Sequence, residues 1–404
     1  MTNNIPAPLL VSEENSFAYY TFTNRLPVII EQVIAANNFA PAILEKLNKL
    51  KEGLLVELVY PIDDQGPDIT DWTNYLQPFL GKPLIELPFY FAEVYLYRRL
   101  LAITEYFTSP TGEQIDPFEK QKRQGLETAI TSIRQVSIKL DNLYYTSADR
   151  NKQWQQGLRH LLYLNLWGNR MDLSFAPKEA SKLEQQELDL NQKQSQIILD
   201  DTALIVDQIS SFKNNRIDFI VDNSGFELVS DLFVIDFLLA SNAAAVVYLH
   251  LKSHPIFVSD AMIKDVRFTL DFLANDKEST VKDLGIRLQS YLASGRLILT
   301  DHFFWTAPLF FWNLPDSLKQ ELSQSDLVFI KGDANYRRLV GDLHWPKNSN
   351  FNNIVSYFPS AFTVLRTTKS EVIVGLQQYQ IDDLNHQDSQ WLTNGKWGLI
   401  QFRC

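Results

Sequence analysis

The chain has 404 residues and a formal net charge of −11. The length predicts about two to three domains, and the contents of 45% hydrophobic and 21% charged residues are typical of a folded protein. The negative charge argues against nucleic acid or an anionic membrane surface as a partner. Cys404 is the only cysteine, which excludes a disulfide framework and a thiolate metal cluster.

The sequence shows no sign of export or of membrane insertion. Residues Met1–Pro8 lack the charged region and the apolar run of a signal peptide. No apolar run approaches the length that spans a bilayer. We therefore expect a cytoplasmic protein without a membrane partner, and the sequence leaves its oligomeric state open.

Residues 1–213 are predicted to form a helical domain. Their apolar residues recur at spacings of three and four, and prolines and glycines separate the segments. The run from Lys178 to Gln196 is rich in Lys, Glu and Gln, which predicts a solvated helix or linker. The predicted helices are Arg25–Ala36, Ala40–Val59, Phe89–Phe107, Asp116–Leu143 and Asn151–Trp167.

Residues 214–404 are predicted to form an α/β domain. Strand-like runs alternate with helix-length segments, which indicates a mostly parallel sheet, and the closely spaced last strands favour an antiparallel edge. The predicted strands are Ile217–Val221, Ala244–Leu251, Leu297–Thr300, Leu327–Ile330, Phe362–Leu365, Glu371–Leu376 and Trp397–Phe402. The helices predicted between the first four are Phe226–Ser241, Ala261–Ala274, Val281–Ala293 and Ser317–Ser323.

The stretch Ile217–Ser241 combines a strand, an acidic turn and a helix. The strand is followed by Asp222 and Asn223, and the apolar segment from Phe226 predicts a helix buried against a sheet. Ligands bind at the carboxyl ends of strands in such folds, and helix N-termini attract anions. A metal and a phosphate could therefore share one site. Residues of these types also cap helices, and this stretch alone slightly favours that simpler explanation.

Oxygen donors follow the early strands of the predicted sheet. Asp222 and Asn223 follow the first strand, and Asp260 follows the second. This oxygen-only set suits Mg²⁺ or Mn²⁺ better than Zn²⁺. Of the six histidines, only His250 and His254 are as close as four residues in the sequence. His250 lies inside a predicted strand, so a zinc site built from histidines has little support.

Cations follow the later strands. Lys331 comes after the fourth strand, and Arg366 and Lys369 come after the fifth. Arginine binds phosphate in fork geometry and lysine binds it as a point charge, although the same residues also suit a solvated loop. The GxxxxGK[ST], GxSxG and GxGxxG motifs are absent.

Several motifs, in order along nearly the whole chain, resemble the damage-control phosphatase family in its acidic-residue-methyltransferase-like subfamily. The signature is Val-Asp-Asn-Ser-Gly-Phe-Glu-Leu at 221–228, and Arg366-Thr-Thr-Lys369 matches the RTxK motif of the subfamily. The other matching segments are Ser16–Tyr19, Tyr97–Arg99, Leu166–Asn169, Asp172–Ser174, Phe257–Asp260, Phe304–Thr306, Lys331–Asp333, Asn335–Arg337, Gly341–Asp342 and Gly395–Gly398.

The resemblance implies a helical domain packed on a three-layer α/β/α sandwich. It assigns Asp222, Asn223 and Asp260 as catalytic ligands of one divalent metal ion, Mn²⁺ or Mg²⁺, with Co²⁺ or Ni²⁺ as further candidates. The predicted substrate-binding residues are Glu227, Lys331, Asp333, Arg366, Thr367, Thr368, Lys369, Ser370 and Lys396. Of these, Asp333 lies on a family motif without a clear role, and Thr368 and Ser370 occupy variable positions of the RTxK segment.

These observations predict a divalent-metal-dependent phosphomonoester hydrolase with a damage-control role. The expected substrates are small sugar phosphates of the fructose 1-phosphate or fructose 6-phosphate type. One alternative is an S-adenosylmethionine-dependent protein carboxyl methyltransferase, an activity that the family name records, although methyl transfer needs no hard-metal cage. A non-catalytic sugar-phosphate-binding protein is the other. The sequence does not determine whether an aspartate or a water attacks the phosphorus.

Overall fold

A mostly parallel β-sheet forms the centre of the molecule. The structure, a computed structural model, describes residues 5–109, 114–145, 152–174 and 194–404. The strands are β1 (Ile197–Asp200), β2 (Asn215–Ile220), β3 (Ala244–Leu251), β4 (Leu297–Asp301), β5 (Leu327–Lys331), β6 (Phe362–Thr367) and β7 (Gly398–Arg403). Their order across the sheet is β1-β7-β6-β5-β2-β3-β4. Every neighbouring pair is parallel except β6 and β7, which confirms the predicted fold class.

Helices cover most of the chain before the sheet. Proline occupies the first turn of two of them, where its missing N–H is not needed. The helices are α1 (Phe17–Tyr20), α2 (Leu26–Ala36), α3 (Pro41–Gly53), α4 (Ile69–Leu76), α5 (Phe89–Ile103), α6 (Glu119–Thr128), α7 (Ile130–Tyr145) and α8 (Lys152–Ser174). The predicted helix over 116–143 is thus two helices, and those predicted over 40–59 and 89–107 end several residues early.

The connections between strands are also helical. They are α9 (Thr202–Ser210), α10 (Phe226–Ala240), α11 (Ile263–Ala274), α12 (Ser279–Ala293), α13 (Asp316–Leu322), α14 (Gly332–Val340), α15 (Phe351–Ile354) and α16 (Gln378–Gln387). In α10, every residue from Phe226 to Leu239 is buried, as its nearly continuous apolar sequence predicts.

Alternation along the strands builds an apolar layer on each face of the sheet. In β5, Leu327 and Phe329 pack with α8, α10, α11 and α12. Val328 and Ile330 face the other way and pack with residues of α2, α3, α5 and α14. Because successive side chains of a strand point to opposite faces, the result is a three-layer sandwich.

The predicted strand Glu371–Leu376 is wrong, and β1 is an additional strand. Residues 371–376 are irregular. Two of their backbone N–H groups bond to another loop instead of to a strand. The Gly375 N–H donates to Ser349 O at 3.0 Å, and the Leu376 N–H donates to Lys347 O at 3.0 Å. β1 instead joins the sheet beside β7.

Contacts cross the domain boundary predicted between residues 213 and 214. β1 belongs to the sheet, and α8 packs on α10 and β6. The division at this position remains a prediction. Residues 178–193 of the predicted solvated run 178–196 lie outside the described residues. No helix in the described ranges combines the length and apolarity needed to span a membrane.

Candidate metal and phosphate site

The predicted metal ligands follow the ends of two adjacent parallel strands. β2 and β3 pair with Ile220 opposite His250, so the segments that follow them emerge at one edge of the sheet. β5 lies on the other side of β2, with Ile330 opposite Ile220. Lys331 and the turn after it therefore reach the same edge.

The turn after β2 places Asp222, Asn223 and Ser224 in front of α10. Asp222 is 5% exposed. Gly225 has a φ of 73°, in the left-handed region that glycine adopts without strain, and α10 begins at the next residue. The free N–H groups of the first helical turn therefore lie beside the acidic turn.

Hydrogen bonds join this turn to the loop that carries Asp260. The backbone N–H and the hydroxyl of Ser224 both donate to Ser259 O, at 2.7 and 2.9 Å. Asn223 and Asp260 form an isolated antiparallel bridge. The backbone thus fixes the relative positions of two predicted ligands that are far apart in sequence.

The loop before Asp260 is strained. Phe257 and Val258 have φ values of 49° and 70°, and the left-handed region is unfavourable for a β-branched residue such as valine. The Phe257 ring packs against Tyr90 and Tyr97 of α5, with centroid separations of 6.2 and 5.2 Å. A helix of the N-terminal part therefore holds the loop that presents Asp260.

Asn223 is bonded at both ends of its amide. Its Nδ2 donates to Asp222 Oδ2 at 2.8 Å and to Glu227 Oε2 at 2.9 Å. Its Oδ1 accepts from the Ser259 hydroxyl at 2.5 Å. Ser259 thereby orients Asn223, a role that its position beside Asp260 in the sequence did not reveal.

Burial next to like charges dominates the electrostatics of the site. Burial raises the pKa of Asp222 well above its usual range, and Asp260 and Glu227 raise it further against the opposing effect of Lys252 and Lys369. Burial also raises the pKa of Asp260 to about 6, although Lys252 opposes this shift. The buried carboxylates at this edge of the sheet would therefore be stabilised by a cation.

Lys252 is a buried cation that the sequence analysis missed. It directly follows β3 and is 2% exposed. Its Nζ lies 3.3 Å from Asp260 Oδ2 and donates to Asn335 Oδ1 at 3.5 Å. Burial lowers the pKa of Lys252, an effect that Asp260 opposes. A lysine at the end of a buried strand is the sequence signal that could have identified it.

Lys331 is directed toward α10. Its Nζ lies 3.0 Å from Asp231 Oδ1 and 3.8 Å from Glu227 Oε1, and it donates to the Asn165 carbonyl of α8 at 3.4 Å. Lys331 therefore links Glu227 to the helical layer.

Gly332 allows β5 to approach Asp222 closely. A Cβ atom at this position would lie 1.9 Å from Asp222 Oδ2, a distance that no side chain can occupy. The residue also has a φ of 82°. Only glycine fits both requirements.

Asp333, Arg366 and Ser370 form a buried network beside this turn. Arg366 Nε donates to Asp333 Oδ1 at 2.8 Å, and the Lys369 N–H and the Ser370 hydroxyl donate to the same oxygen at 3.1 and 3.2 Å. Burial acts to raise the pKa of Asp333, but Arg366, Arg337 and the Lys369 N–H outweigh it, so the pKa lies below its usual range.

Arg366 is fully buried among protein acceptors. Besides Asp333, it donates to Val372 O at 2.5 Å and to the Ser370 carbonyl at 3.2 Å. Its guanidinium also lies over the Tyr336 ring, 4.2 Å from the centroid. Its donors are directed at the loop and at Asp333 rather than at solvent.

The remaining predicted substrate residues lie around the same loop. Thr367 is buried at the end of β6. The Thr368 hydroxyl donates to Trp391 O at 2.7 Å and to Trp397 O at 3.2 Å, so it holds the following loop. Lys369 is half-buried. Lys396 is exposed and follows Gly395, which lies beside the side chain of Lys369.

The donor set suits a hard divalent cation. Asp260 is 1% exposed, and its Oδ2 faces the Lys252 Nζ at 3.3 Å. No lysine or arginine in the described ranges forms an ion pair with Asp222. A half-turn of the Asn223 amide exchanges Nδ2 for Oδ1, which allows this position to offer an oxygen. A cation would also offset the cost of burying the two charged carboxylates, which raises the pKa of both aspartates.

A second acidic group lies between α6 and α11. Asp116, Glu119 and Asp265 each offer an oxygen within 4.8 Å of the others, an arrangement that could hold a metal ion. Lys122 Nζ lies 3.0 Å from Asp116 Oδ2 and 2.8 Å from Asp265 Oδ2, and Lys264 Nζ lies 3.1 Å from Asp116 Oδ2. A metal would have to compete with these two ammonium groups.

Comparison with known proteins agrees with the resemblance seen at 221–228. The sequence model of the Damage-control phosphatase ARMT1-like domain matches residues 21–384. The protein named Damage-control phosphatase ARMT1 from Mus musculus is 32% identical to this chain, and the alignment covers 98% of both chains. The protein of the same name from Danio rerio is 30% identical to this chain, and the alignment covers 98% of this chain and 97% of that protein. The structure of a DUF89 family protein from Pyrococcus horikoshii superimposes on this one with a TM-score of 0.49 and 14% sequence identity. The superposition covers 94% of this chain and 95% of that chain. The chain belongs to the ARMT1-like damage-control phosphatase family.

Proposed function

We propose that this protein is a divalent-metal-dependent phosphatase that hydrolyses small sugar phosphates. The observation that carries the proposal is the pair of buried carboxylates, Asp222 and Asp260, at one edge of the sheet, where burial raises both pKa values. The positive charge of Lys369, in the loop after β6, acts to lower the pKa of Asp222. A cation site beside a lysine is the combination that phosphoryl transfer needs.

Asp222, Asn223 and Asp260 are the residues that would hold the metal ion. A bound divalent cation supplies charge neutralisation at the phosphoryl and leaving oxygens. Glu227 lies beside Asn223 and near Lys331 and raises the pKa of Asp222, so we assign it to adding negative charge around the cation. In the overall reaction the ester P–O bond breaks, and water supplies a hydroxyl to phosphorus and a proton to the leaving alcohol.

Lys369 is assigned to the phosphate, and Arg366 to positioning. Lys369 is half-buried at the edge, whereas Arg366 is fully buried with its donors on Asp333, Ser370 and Val372. Arg366 would therefore act on the substrate only through the loop it holds. The exposed Lys396 would add attraction for the anion at longer range.

Asp333 is assigned to the sugar. The three hydrogen bonds from Arg366, Lys369 and Ser370 all end on Oδ1, and Oδ2 carries none of them. With a pKa below its usual range, this carboxylate is ionised at neutral pH and can accept a bond from a sugar hydroxyl. Asn335 is fully buried and is not assigned to substrate.

A substrate panel tests the proposal. Phosphate release is compared for fructose 1-phosphate, fructose 6-phosphate, AMP and a phosphopeptide, each at equal concentration with Mn²⁺ or with EDTA. We expect release from the two sugar phosphates, with Mn²⁺ only. AMP or the peptide leading the panel would contradict the substrate class. Methyl transfer from labelled S-adenosylmethionine would favour the methyltransferase alternative. Tight binding of a sugar phosphate without turnover would favour the non-catalytic binding protein.

A further inference from the structure

A cavity of about 310 Å³ lies at the opposite end of the sheet from the candidate metal site. Phe402 of β7 lines this cavity and pairs with Thr363, near the start of β6. Arg366 lies near the other end of that strand. The volume is at the lower end of the range for small-molecule sites, so the cavity suits a small ligand that is separate from the metal site.

The polar lining consists mainly of uncharged groups. No lysine or arginine is among the described residues around the cavity, and Asp201 contributes a carboxylate. A phosphate or carboxylate ligand would find no counter-charge there. Amides both donate and accept hydrogen bonds, as sugar hydroxyls do. The uncharged polar residues are Asn348, Ser349, Asn350, Asn352, Gln377 and Gln401.

Gln401 offers a buried acceptor without a partner. Its side chain is 4% exposed, its Nε2 donates to Val374 O at 3.2 Å, and its Oε1 receives no hydrogen bond. An unsatisfied buried acceptor is costly and calls for a partner. A Cβ atom at Gly375 would lie 2.9 Å from Gln401 Nε2, so the glycine leaves room for the amide.

We propose that this cavity binds a neutral polyhydroxylated molecule of about the size of a hexose. A ligand hydroxyl donates to Gln401 Oε1, and the amides at the rim, such as Asn352, bond to the outer hydroxyls. Leu199 and Phe351 supply the apolar surface that meets the C–H face of the ring.

Saturation-transfer NMR on the full chain tests this proposal. D-Fructose, D-glucose and methyl phosphate, whose C–H protons the experiment observes, are compared at millimolar concentration. The same measurements are made on Asp222→Asn protein, because a free sugar could also enter the metal site. We expect transfer to at least one hexose, unchanged in Asp222→Asn, and no transfer to methyl phosphate in that variant.

Neighbouring asparagines supply a matched control. Asn352 lines the cavity, whereas the adjacent Asn353 does not, and both are exposed on α15. Asn352→Ala should weaken hexose binding by roughly two- to tenfold, the effect of one hydrogen bond, and Asn353→Ala should leave it unchanged. Gln401→Leu should abolish it, with a melting curve to show that the variant folds.

Three results would overturn the proposal. The first is an absence of transfer from both hexoses in the wild-type protein. The second is transfer that survives unchanged in both Asn352→Ala and Gln401→Leu. The third is transfer that Asp222→Asn alone removes, which would locate the sugar at the metal site.

Discussion

At the scale of single residues, Arg366 and Lys369 share one short motif but differ in their surroundings. Arg366 is fully buried and bonded to Asp333. Arg366→Ala would leave that half-buried carboxylate without its ion-pair partner, and breaking a buried ion pair typically costs about 3–5 kcal/mol of stability. Lys369→Ala should spare folding and lower kcat/KM by roughly ten- to a hundredfold, from a lost charge-assisted bond of about 1.5–3 kcal/mol.

Urea denaturation and steady-state kinetics on both variants check this contrast. Lys282→Ala serves as the control, because this exposed lysine of α12 is assigned no role at the site and should alter neither quantity. If Lys369→Ala were as active as the wild-type protein, or Arg366→Ala as stable, the assigned roles would be wrong.

The buried aspartates predict a pH dependence of folding in the metal-free protein. The pKa of Asp222 lies well above its usual range, and that of Asp260 is about 6. Such a group binds more protons in the folded than in the unfolded state, so its contribution to the free energy of unfolding falls as pH rises from about 4 toward the folded pKa. For Asp260, a shift of about two units corresponds to about 3 kcal/mol.

Asp222→Asn isolates this effect. In EDTA, its free energy of unfolding should rise relative to the wild-type value as the pH increases from about 4.5 to 7.5, because the variant lacks a buried carboxyl group that must ionise over this range. Chemical denaturation at several pH values measures the difference. A difference that stays constant or shrinks across this range would contradict the electrostatic account.

Asp222 is the first polar residue after β2, whereas Asp260 lies several residues beyond β3 and Lys252 comes first there. The sequence therefore indicated the shared edge, and the family resemblance supplied Asp260 as a predicted ligand. Strand order brings Asp222 and Asp260 together at the ends of β2 and β3. Lys252 was missed, because a lysine after a strand usually belongs to a solvated end. The orientation of Arg366 depends on a loop, residues 370–372, whose path comes from tertiary contacts rather than from local sequence.

At the scale of elements, the β5–α14 turn sets the distance between two strand ends. Gly332 has a φ of 82°, and a Cβ there would meet Asp222 Oδ2 at 1.9 Å. Gly295 has a φ of 72° with nothing within 4 Å of its hypothetical Cβ. Replacement by alanine at either position should cost about 1–2 kcal/mol of backbone strain.

Only Gly332→Ala should displace Asp222. We therefore expect it to abolish Mn²⁺ binding and phosphatase activity, whereas Gly295→Ala keeps both. Calorimetric titration with Mn²⁺ and melting curves distinguish the two effects. Equal activity of the two variants at equal stability would show that the close approach at Gly332 is not needed.

The errors in predicting elements have a common cause. Residues 371–376 carry the apolar pattern of a strand, but the N–H groups of Gly375 and Leu376 donate to Ser349 and Lys347 rather than to a neighbouring strand. β1 has only four residues and is identified as a strand mainly by pairing with β7. Partners that are distant in sequence decide both cases, and a local pattern does not contain that information.

At the scale of the whole molecule, the helical part and the sheet share one set of contacts. Leu158, Leu161 and Leu162 of α8 belong to the same apolar cluster as α10, and Phe257 is held by α5. A fragment of residues 214–404 would also lack β1. We expect it to show no cooperative thermal transition, with the full chain as the control.

Circular dichroism melting of the fragment and of the full chain checks this expectation. A sharp transition in the fragment would show that the sheet folds by itself, and would support the boundary predicted at residues 213 and 214.

The most direct test of the account is a Mn²⁺ titration of phosphate release from fructose 1-phosphate, starting from metal-stripped protein. The wild-type protein should be inactive in EDTA and should regain activity in a saturable manner, whereas Asp222→Asn should remain inactive. Asp236→Asn is the matched control: it removes a buried carboxylate of α10 that pairs with Arg287, and it should respond to Mn²⁺ like the wild-type protein. Activity in EDTA, or an undiminished response in Asp222→Asn, would contradict the assignment of these residues as a catalytic metal site.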